Sequence, residues 1–397
     1  MKITVGLFFG GESVEHEVSV ISALQALRHF DKDKYTVLPI YVTRDGSFCT
    51  GESVGRIEEY RDVPALVKKS VRVLPVRNGD RVELLPYGRF GLKKKPLATL
   101  DLAFPVAHGT GVEDGALQGY FRTLGLPFAG SDVGPSALGM DKYAQKVLYA
   151  AAGLPVLPAL RFRIGEDREE IIPRIGEKIG FPLIVKPLDQ GSSVGIRLVK
   201  GPEELADALD YAFSFSPQVL AEKAVQPLRE VNCAVLGDGD EARASEVEEP
   251  VMGDEILSYR DKYEGGGKTS SEGSKGMSSL KRLLPAPISP ELRERVQTLA
   301  LRAFRALGLS GVARIDFLMN AETEEVWVNE VNTCPGSLSF YLWEAGGMKY
   351  TQLLDQMVSL ALKRERERKS FHSAIDTGIL KNFSGGAKGT KGTKGQA

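Results

Sequence analysis

Near the C-terminal end of this 397-residue chain, two β-rich stretches flank a turn over about residues 321–325. They read Gly311-Val-Ala-Arg-Ile-Asp-Phe317 and Val326-Trp-Val-Asn-Glu-Val-Asn-Thr-Cys-Pro-Gly336. In such a hairpin Asp316 lies opposite Glu330. Strand side chains alternate, so Glu330 and Asn332 share a face that Arg314 also joins. Two carboxylates and an amide on one face form a hard-oxygen site suited to Mg²⁺ carrying nucleotide phosphates. A solvated polar face would use the same residue types, but these sit among Ile315, Phe317, Trp327 and Val331, which is the pattern of an interior sheet.

Cations come from elsewhere in the chain. Lys186 closes the apolar run 181–185 and Lys142 follows Gly139-Met-Asp141. A lysine at the end of a buried strand reaches phosphate as a point charge. Beside Lys186, Gly191, Ser192, Ser193 and Gly195 bring backbone N–H groups around phosphate oxygens as a nest. Taken alone, each lysine is an ordinary surface residue; with the hairpin carboxylates they imply phosphoryl transfer, where catalysis is mostly positioning and charge neutralisation.

Three other motifs fail. Gly191-Ser-Ser-Val-Gly195 fits the serine-hydrolase elbow, but that motif needs a helix after the turn, and residues 196–199 read as a strand. The only downstream histidine is His372, near the tail. Gly267-Lys268-Thr269 lacks the first glycine of a P-loop, since position 262 is lysine. No G-x-G-x-x-G follows the first strand, which lowers the case for a dinucleotide enzyme.

The elements must bring these groups together. Residues 2–9 read as a buried strand, Gly10-Gly11 as its turn, about 15–29 as a helix and 35–42 as a second strand, so the chain opens with a βαβ unit and a parallel sheet. Another strand at 100–105 leads into the loop His108-Gly-Thr-Gly-Val-Glu-Asp-Gly115. Ligands of such sheets gather at the carboxyl ends of strands, which puts the glycine pair and His108 on one wall. A helix near 136–152 precedes Gly153-Leu-Pro155, a domain boundary. Strands at 181–187, 195–199 and 219–223 with a helix at 202–213 make a small α+β unit. The rest, to about 366, adds strands, a helix near 290–307 and the hairpin. Residues 254–280 are rich in Gly and Ser without periodicity, hold Lys262 and Tyr263, and read as a lid or a disordered segment. The tail from 385 is low-complexity and stands outside the fold.

A formal net charge of −1 favours neither nucleic acid nor an anionic membrane. The basic run 363–369 alternates with glutamate and reads as a solvated helix end. Cys49, Cys233 and Cys334 are odd in number and form no CxxC pair, which fits a reducing compartment. With no signal-peptide pattern and no apolar run approaching the roughly 18 residues of a membrane span, a cytoplasmic protein is expected.

These pieces, in this order, resemble the ATP-grasp enzymes, specifically the D-alanine–D-alanine ligase family, over about residues 2–375. The segments that carry the resemblance are Gly10-Gly-Glu-Ser-Val-Glu-His-Glu-Val-Ser19, His108-Gly-Thr-Gly-Val-Glu-Asp-Gly-Ala-Leu-Gln-Gly119 and Gly139-Met-Asp-Lys142. Val185-Lys-Pro187 with Gly191-Ser-Ser-Val-Gly195, Arg314-Ile-Asp316, and Glu330-Val-Asn-Thr-Cys-Pro-Gly336 complete the set. The likeness weakens over 43–99 and in the tail.

The resemblance implies an α/β (α+β) protein of three-domain ATP-grasp architecture with a Rossmann-like parallel sheet at its N-terminus. It divides the chain at 1–135, 136–222 and 223–366, with an extension over 367–397. It implies Lys142, Lys186 and Lys262 on phosphates, together with Ser192 and Ser193. Glu222, Lys223 and Val225 lie in an adenine hinge, Glu230 is on the ribose, and Asp316, Glu330 and Asn332 bind two Mg²⁺ (or Mn²⁺). Glu15 meets the first D-alanine's ammonium and His108 its carboxylate, while Arg314 and the Gly336 backbone hold an oxyanion. Glu15, Ser192 and Tyr263 form a lid latch, and Tyr263 favours a dipeptide over D-alanyl-D-lactate. His16 and His29 are read as structural. The implied partners are ATP and D-alanine, with a homodimer by family habit. One position departs: many members carry a serine nine residues after the metal-site asparagine to hold the second substrate's carboxylate, and here it is Tyr341. Ser337, Ser339 or the tyrosine hydroxyl are the replacements.

Overall fold

The computed structural model describes residues 2–88, 91–92, 95–188, 194–251 and 282–371. Ser192, Ser193, Lys262, Tyr263, the expected lid at 254–280, the P-loop-like Gly267-Lys268-Thr269 and the tail lie outside these.

The first sheet runs β6(Gly91–Leu92), β5(Arg81–Gly88), β4(Val71–Asn78), β3(Phe48–Thr50), β2(Tyr35–Val42), β1(Ile3–Gly10), β8(Leu102–Pro105), with β7(Ala98–Leu100) paired to β5. β1 is apolar almost throughout because both its faces are covered. Val5, Leu7 and Phe9 point into a core shared with α1(His16–His29), and Phe8 points into a second core with α3(Ala116–Leu124). The expected parallel sheet is only partly so. β1 pairs in parallel with β2 and β8, but β3, β4 and β5 extend the sheet antiparallel. Between β4 and β5 the reason is local: the connection Gly79-Asp80, with Gly79 at φ +60°, is too short for a parallel crossover.

The second sheet is β11(Arg197–Val199), β10(Leu183–Pro187), β12(Gln218–Lys223), β9(Ala159–Arg163). One face packs Leu183 and Val185 onto α6(Arg168–Lys178) and α7(Leu205–Phe213). β11 pairs antiparallel to β10, so a strand stands where the nucleophile elbow requires a helix.

The third sheet is β15(Arg282–Leu283), β14(Arg243–Pro250), β13(Leu228–Asp238), β16(Ser310–Asn320), β17(Val326–Asn332). Val231, Cys233, Ile315, Phe317 and Val328 bury one face under α8(Pro290–Ala306). The alternate residues are left to line a cleft.

The helix expected over 136–152 is two helices, α4(Val133–Met140) and α5(Lys142–Ala151). Asp141 breaks it: its carboxylate accepts from Tyr143 N at 2.9 Å and Ala144 N at 2.8 Å, capping a new helix. After α9(Phe340–Ala345), the last helix α10(Tyr350–Ser370) returns to pack on the first sheet's core. Its basic end is not simply solvated. Arg364 donates to the carbonyls of Gly130 (2.6 Å) and Phe128 (2.7 Å), tying the helix to the chain that follows α3.

Candidate active site

The hairpin β16–β17 holds the expected set in the expected register, with Asp316 opposite Glu330 and Arg314 opposite Asn332. Simple alternation misses one feature, a bulge between Asp316 and Phe317 that leaves Asn329 as the extra residue. That residue reaches the second sheet, where Asn329 Oδ1 accepts from Lys186 Nζ at 3.3 Å. Arg314 grips Asp316 with two parallel bonds, Nε to Oδ1 and Nη2 to Oδ2, both 2.6 Å. Burial alone would depress the guanidinium, but Asp316 outweighs it and holds Arg314 firmly charged. Asn332 Nδ2 donates to Asp316 Oδ2 at 3.0 Å. Three oxygen-bearing side chains beside a lysine are a donor set that fits Mg²⁺ bound to phosphate.

The lysines converge from the other side. Lys142, at the start of α5, lies 3.9 Å from Glu330 Oε2 and donates to Leu188 O at 3.3 Å. Lys186 donates to Glu222 Oε1 at 2.5 Å. A third lysine, Lys146, ion-pairs with Glu222 Oε2 at 2.8 Å. Burial opposes ionisation of Glu222, but the two ammonium groups overcome it and hold its carboxyl down to about 2. Burial lowers the Lys146 ammonium despite Glu222, whereas at Lys186 the carboxylates of Glu222 and Glu330 win over burial and raise it. The Glu222 side chain therefore serves the lysines. Lys223 Nζ donates to Phe181 O at 2.9 Å, Val225 follows in the loop after β12, and Glu230 lies two residues from Asn232 on the cleft face of β13.

The first sheet brings the remaining residues. Gly10 (φ +101°) makes the turn after β1, where any Cβ would sit 2.3 Å from Val42 O. Glu15 immediately precedes α1. Ser13 Oγ accepts from Glu15 N at 3.2 Å and donates to His108 O at 2.7 Å, joining the two loops. His108 is satisfied by Nδ1–H donating to Cys334 O (2.7 Å) while Nε2 accepts from Ser22 Oγ (3.1 Å), which itself accepts from Ser337 N (2.9 Å). Glu113, buried and pushed upward by that burial, accepts from Gly109 N (3.0 Å), Thr333 Oγ1 (3.0 Å) and Cys334 N (2.9 Å). His108 and Glu113 thus clamp the segment that leaves β17. Gly336 opens the next turn, where Ser337, Leu338 and Ser339 all take positive φ (51°, 54°, 48°). His16 is structural, bridging Gly11 O (2.6 Å) and Tyr41 OH (2.9 Å), and His29 bonds its own helix at Gln25 O.

Sequence reasoning gave no role to Lys146, Glu113, Asn329 or Glu248. Lys146 carried a signal, standing one helical turn after Lys142; Glu248, in an unremarkable strand, carried none.

The family model described as D-ala D-ala ligase N-terminus matches residues 4–131, and that described as D-ala D-ala ligase C-terminus matches residues 148–359. The chain belongs to the D-alanine–D-alanine ligase family. A D-alanine–D-alanine ligase of Thermosipho melanesiensis is 36% identical, covering 96% of this chain and 98% of the relative. D-alanine–D-alanine ligase A of Escherichia coli K12 is 37% identical, covering 91% and 96%. Among solved structures, the D-alanine–D-alanine ligase of Coxiella burnetii superposes with a TM-score of 0.77 at 28% identity, covering 93% of this chain and 96% of that one. The VanG D-Ala:D-Ser ligase of Enterococcus faecalis superposes at 0.76 with 30% identity, covering 91% and 100%. The fold is that of the ATP-grasp ligases.

Proposed function

We propose that the chain uses ATP to join two D-alanines, in the synthesis of a cell-wall precursor. The observation that carries this reading is the clamp on residues 333–337. It fixes the ligand edge of the first sheet, with Glu15 and His108, directly after the strand bearing Glu330 and Asn332. An amino-acid carboxylate close to His108 then lies next to the groups that hold phosphate.

The first D-alanine binds with its ammonium at Glu15, and its carboxylate oxygen attacks the γ-phosphorus. The bond to the β-phosphate bridging oxygen breaks, leaving ADP and an acyl phosphate. The amine of the second D-alanine attacks the acyl carbon and loses a proton, the C–O bond to phosphate breaks, and D-alanyl-D-alanine and phosphate result. Lys142, Lys186 and Lys262, with Ser192 and Ser193, hold the phosphates. Glu222, Lys223 and Val225 line the base, and Glu230 holds the ribose. Arg314 and the Gly336 backbone stabilise the oxyanion. Asp316, Glu330 and Asn332 hold two Mg²⁺ (or Mn²⁺), which neutralise phosphate charge when bound. The nucleotide lies between domains at 136–222 and 223–366, with 1–135 supplying the amino-acid wall. A lid over 254–280, latched by Glu15, Ser192 and Tyr263, excludes water. A cytoplasmic homodimer completes the reading. Among the described residues no helix is long and apolar enough to cross a membrane.

A different second substrate, D-serine or D-lactate, is the alternative, favoured by Tyr341 and by the likeness to a D-Ala:D-Ser ligase. One assay separates them: ADP and phosphate release with D-alanine, against L-alanine, with product mass determined beside D-serine and D-lactate. Equal ADP, phosphate and dipeptide is the expected result. ADP without dipeptide moves the assignment to another nucleophile, and no turnover removes the ligase reading.

A further inference from the structure

The third sheet carries a row that extends past the metal carboxylates. By register Glu330 faces Asp316, Asp316 faces Asn232, and Asn232 faces Glu248, so four polar side chains cross β17, β16, β13 and β14 on the cleft face. At the Glu330 end stand Lys142 and the phosphate-holding groups. At the other end Glu248 is almost wholly buried, its side chain 3% exposed. Glu248 Oε1 accepts from Tyr341 OH at 3.0 Å and from Asn232 Nδ2 at 3.4 Å, and Oε2 accepts from Arg282 Nη1 at 2.9 Å. The Arg282 guanidinium carbon lies over the Tyr341 ring, 3.8 Å from its centroid. Arg314 stands between the two ends, close enough to feel the charges of Asp316 and Glu248.

We propose that Arg282, set in place by Glu248 and Tyr341, receives the carboxylate of the second amino acid; this rests on the ligase reading above. The leaving phosphate occupies the Glu330 end of the row. The incoming amine cannot share that space, so the body of the nucleophile lies toward the Glu248 end. The hydroxyls nearby are committed or shut away there. Tyr341 OH donates to Glu248, Ser337 Oγ donates to Gln25 Oε1 at 2.6 Å, and Ser339 is fully buried. Arg314 spends its fork on Asp316. A guanidinium matches a carboxylate in shape and charge. Its place over the Tyr341 ring and the bond to Glu248 hold it before the substrate arrives, and its side chain remains 12% exposed. Tyr341 and Glu248 are positioning residues, and replacing a serine by this tyrosine transfers the carboxylate contact to Arg282.

The test separates nucleophiles with and without a carboxylate. Hydroxylamine attacks the same acyl phosphate, losing a proton as phosphate departs, and gives D-alanyl hydroxamate without needing a carboxylate site. In the full-length chain, Arg282→Met should raise the KM for the second D-alanine by about 10- to 100-fold, the worth of one charged hydrogen-bonded contact. Hydroxamate formation from D-alanine and hydroxylamine should persist. Arg282→Lys should recover part of the loss by restoring charge without the fork. Tyr341→Phe keeps the ring under the guanidinium and removes the bond to Glu248, so it should shift the same KM in the same direction by less. An unchanged second KM in Arg282→Met and Tyr341→Phe, or a parallel fall of dipeptide and hydroxamate in both, overturns the assignment. Absence of hydroxamate and dipeptide in the unmodified chain instead overturns the ligase reading itself.

Discussion

Glu222 shows how one buried carboxylate organises several cations. Placed between Lys146 and Lys186, it ion-pairs with both ammonium groups and holds them side by side. Removing one partner of a buried pair leaves uncompensated charge, so Glu222→Gln should cost roughly 3–5 kcal/mol in urea unfolding at pH 7. The pH dependence has a definite sign. The folded-state pKa, about 2, lies below the ordinary value of 4.5. The stability it contributes is therefore full above about pH 4.5 and is lost as pH falls toward 2. Unfolding midpoints across that window should fall in the unmodified chain and change less in Glu222→Gln; identical slopes would remove Glu222 from the acid response. At this scale Asp316, Glu330, Asn332, Lys142 and Lys186 were legible from residue type and position. Glu248 was not, and Lys146 only through its spacing from Lys142, because their importance lies in partners brought from distant strands and helices.

Among the elements, α4 packs tightly against the segment that leaves β17. A Cβ at Gly139 would sit 2.3 Å from Thr333 Cγ2, and Thr333 in turn bonds Glu113 at 3.0 Å. Gly139→Ala should push the 333–336 segment away from His108, lowering kcat/KM by at least about tenfold, with an overpacking cost of about 1–3 kcal/mol in stability. Turnover matching the unmodified chain, with folding also unaffected, would show that the segment shifts without consequence. Period-2 alternation foretold the opposition of Asp316 and Glu330. It did not foretell the bulge at Asn329, since a bulge is set by how two strands share hydrogen bonds and not by the pattern of either. The break at Asp141 was equally hidden: an aspartate after Gly139-Met140 can continue a helix or cap the next, and packing against β17 decides.

In the whole molecule, the open faces of the second and third sheets meet across the lysines and the hairpin, while the first sheet closes the end of the cleft through His108 and Glu113. A ligand bridging both sheets should stabilise them together. ATP with Mg²⁺ at a hundred times its dissociation constant should add about 2.7 kcal/mol and raise the melting temperature. EDTA should abolish turnover and remove most of that rise if Asp316, Glu330 and Asn332 hold the metal. A melting shift by ATP unaltered by EDTA would place nucleotide binding apart from those residues. The amino-acid order alone determined the family, the polar set on the hairpin strands and the lysines, because those depend on local residue type, strand period and motif order. Only the tertiary structure decided that the first sheet is mixed, that Arg364 anchors the last helix, and that Tyr341 serves Glu248 and Arg282. Each of these depends on which remote backbone or charge a side chain meets, and contacts between residues tens to hundreds of positions apart leave no periodic trace in the chain.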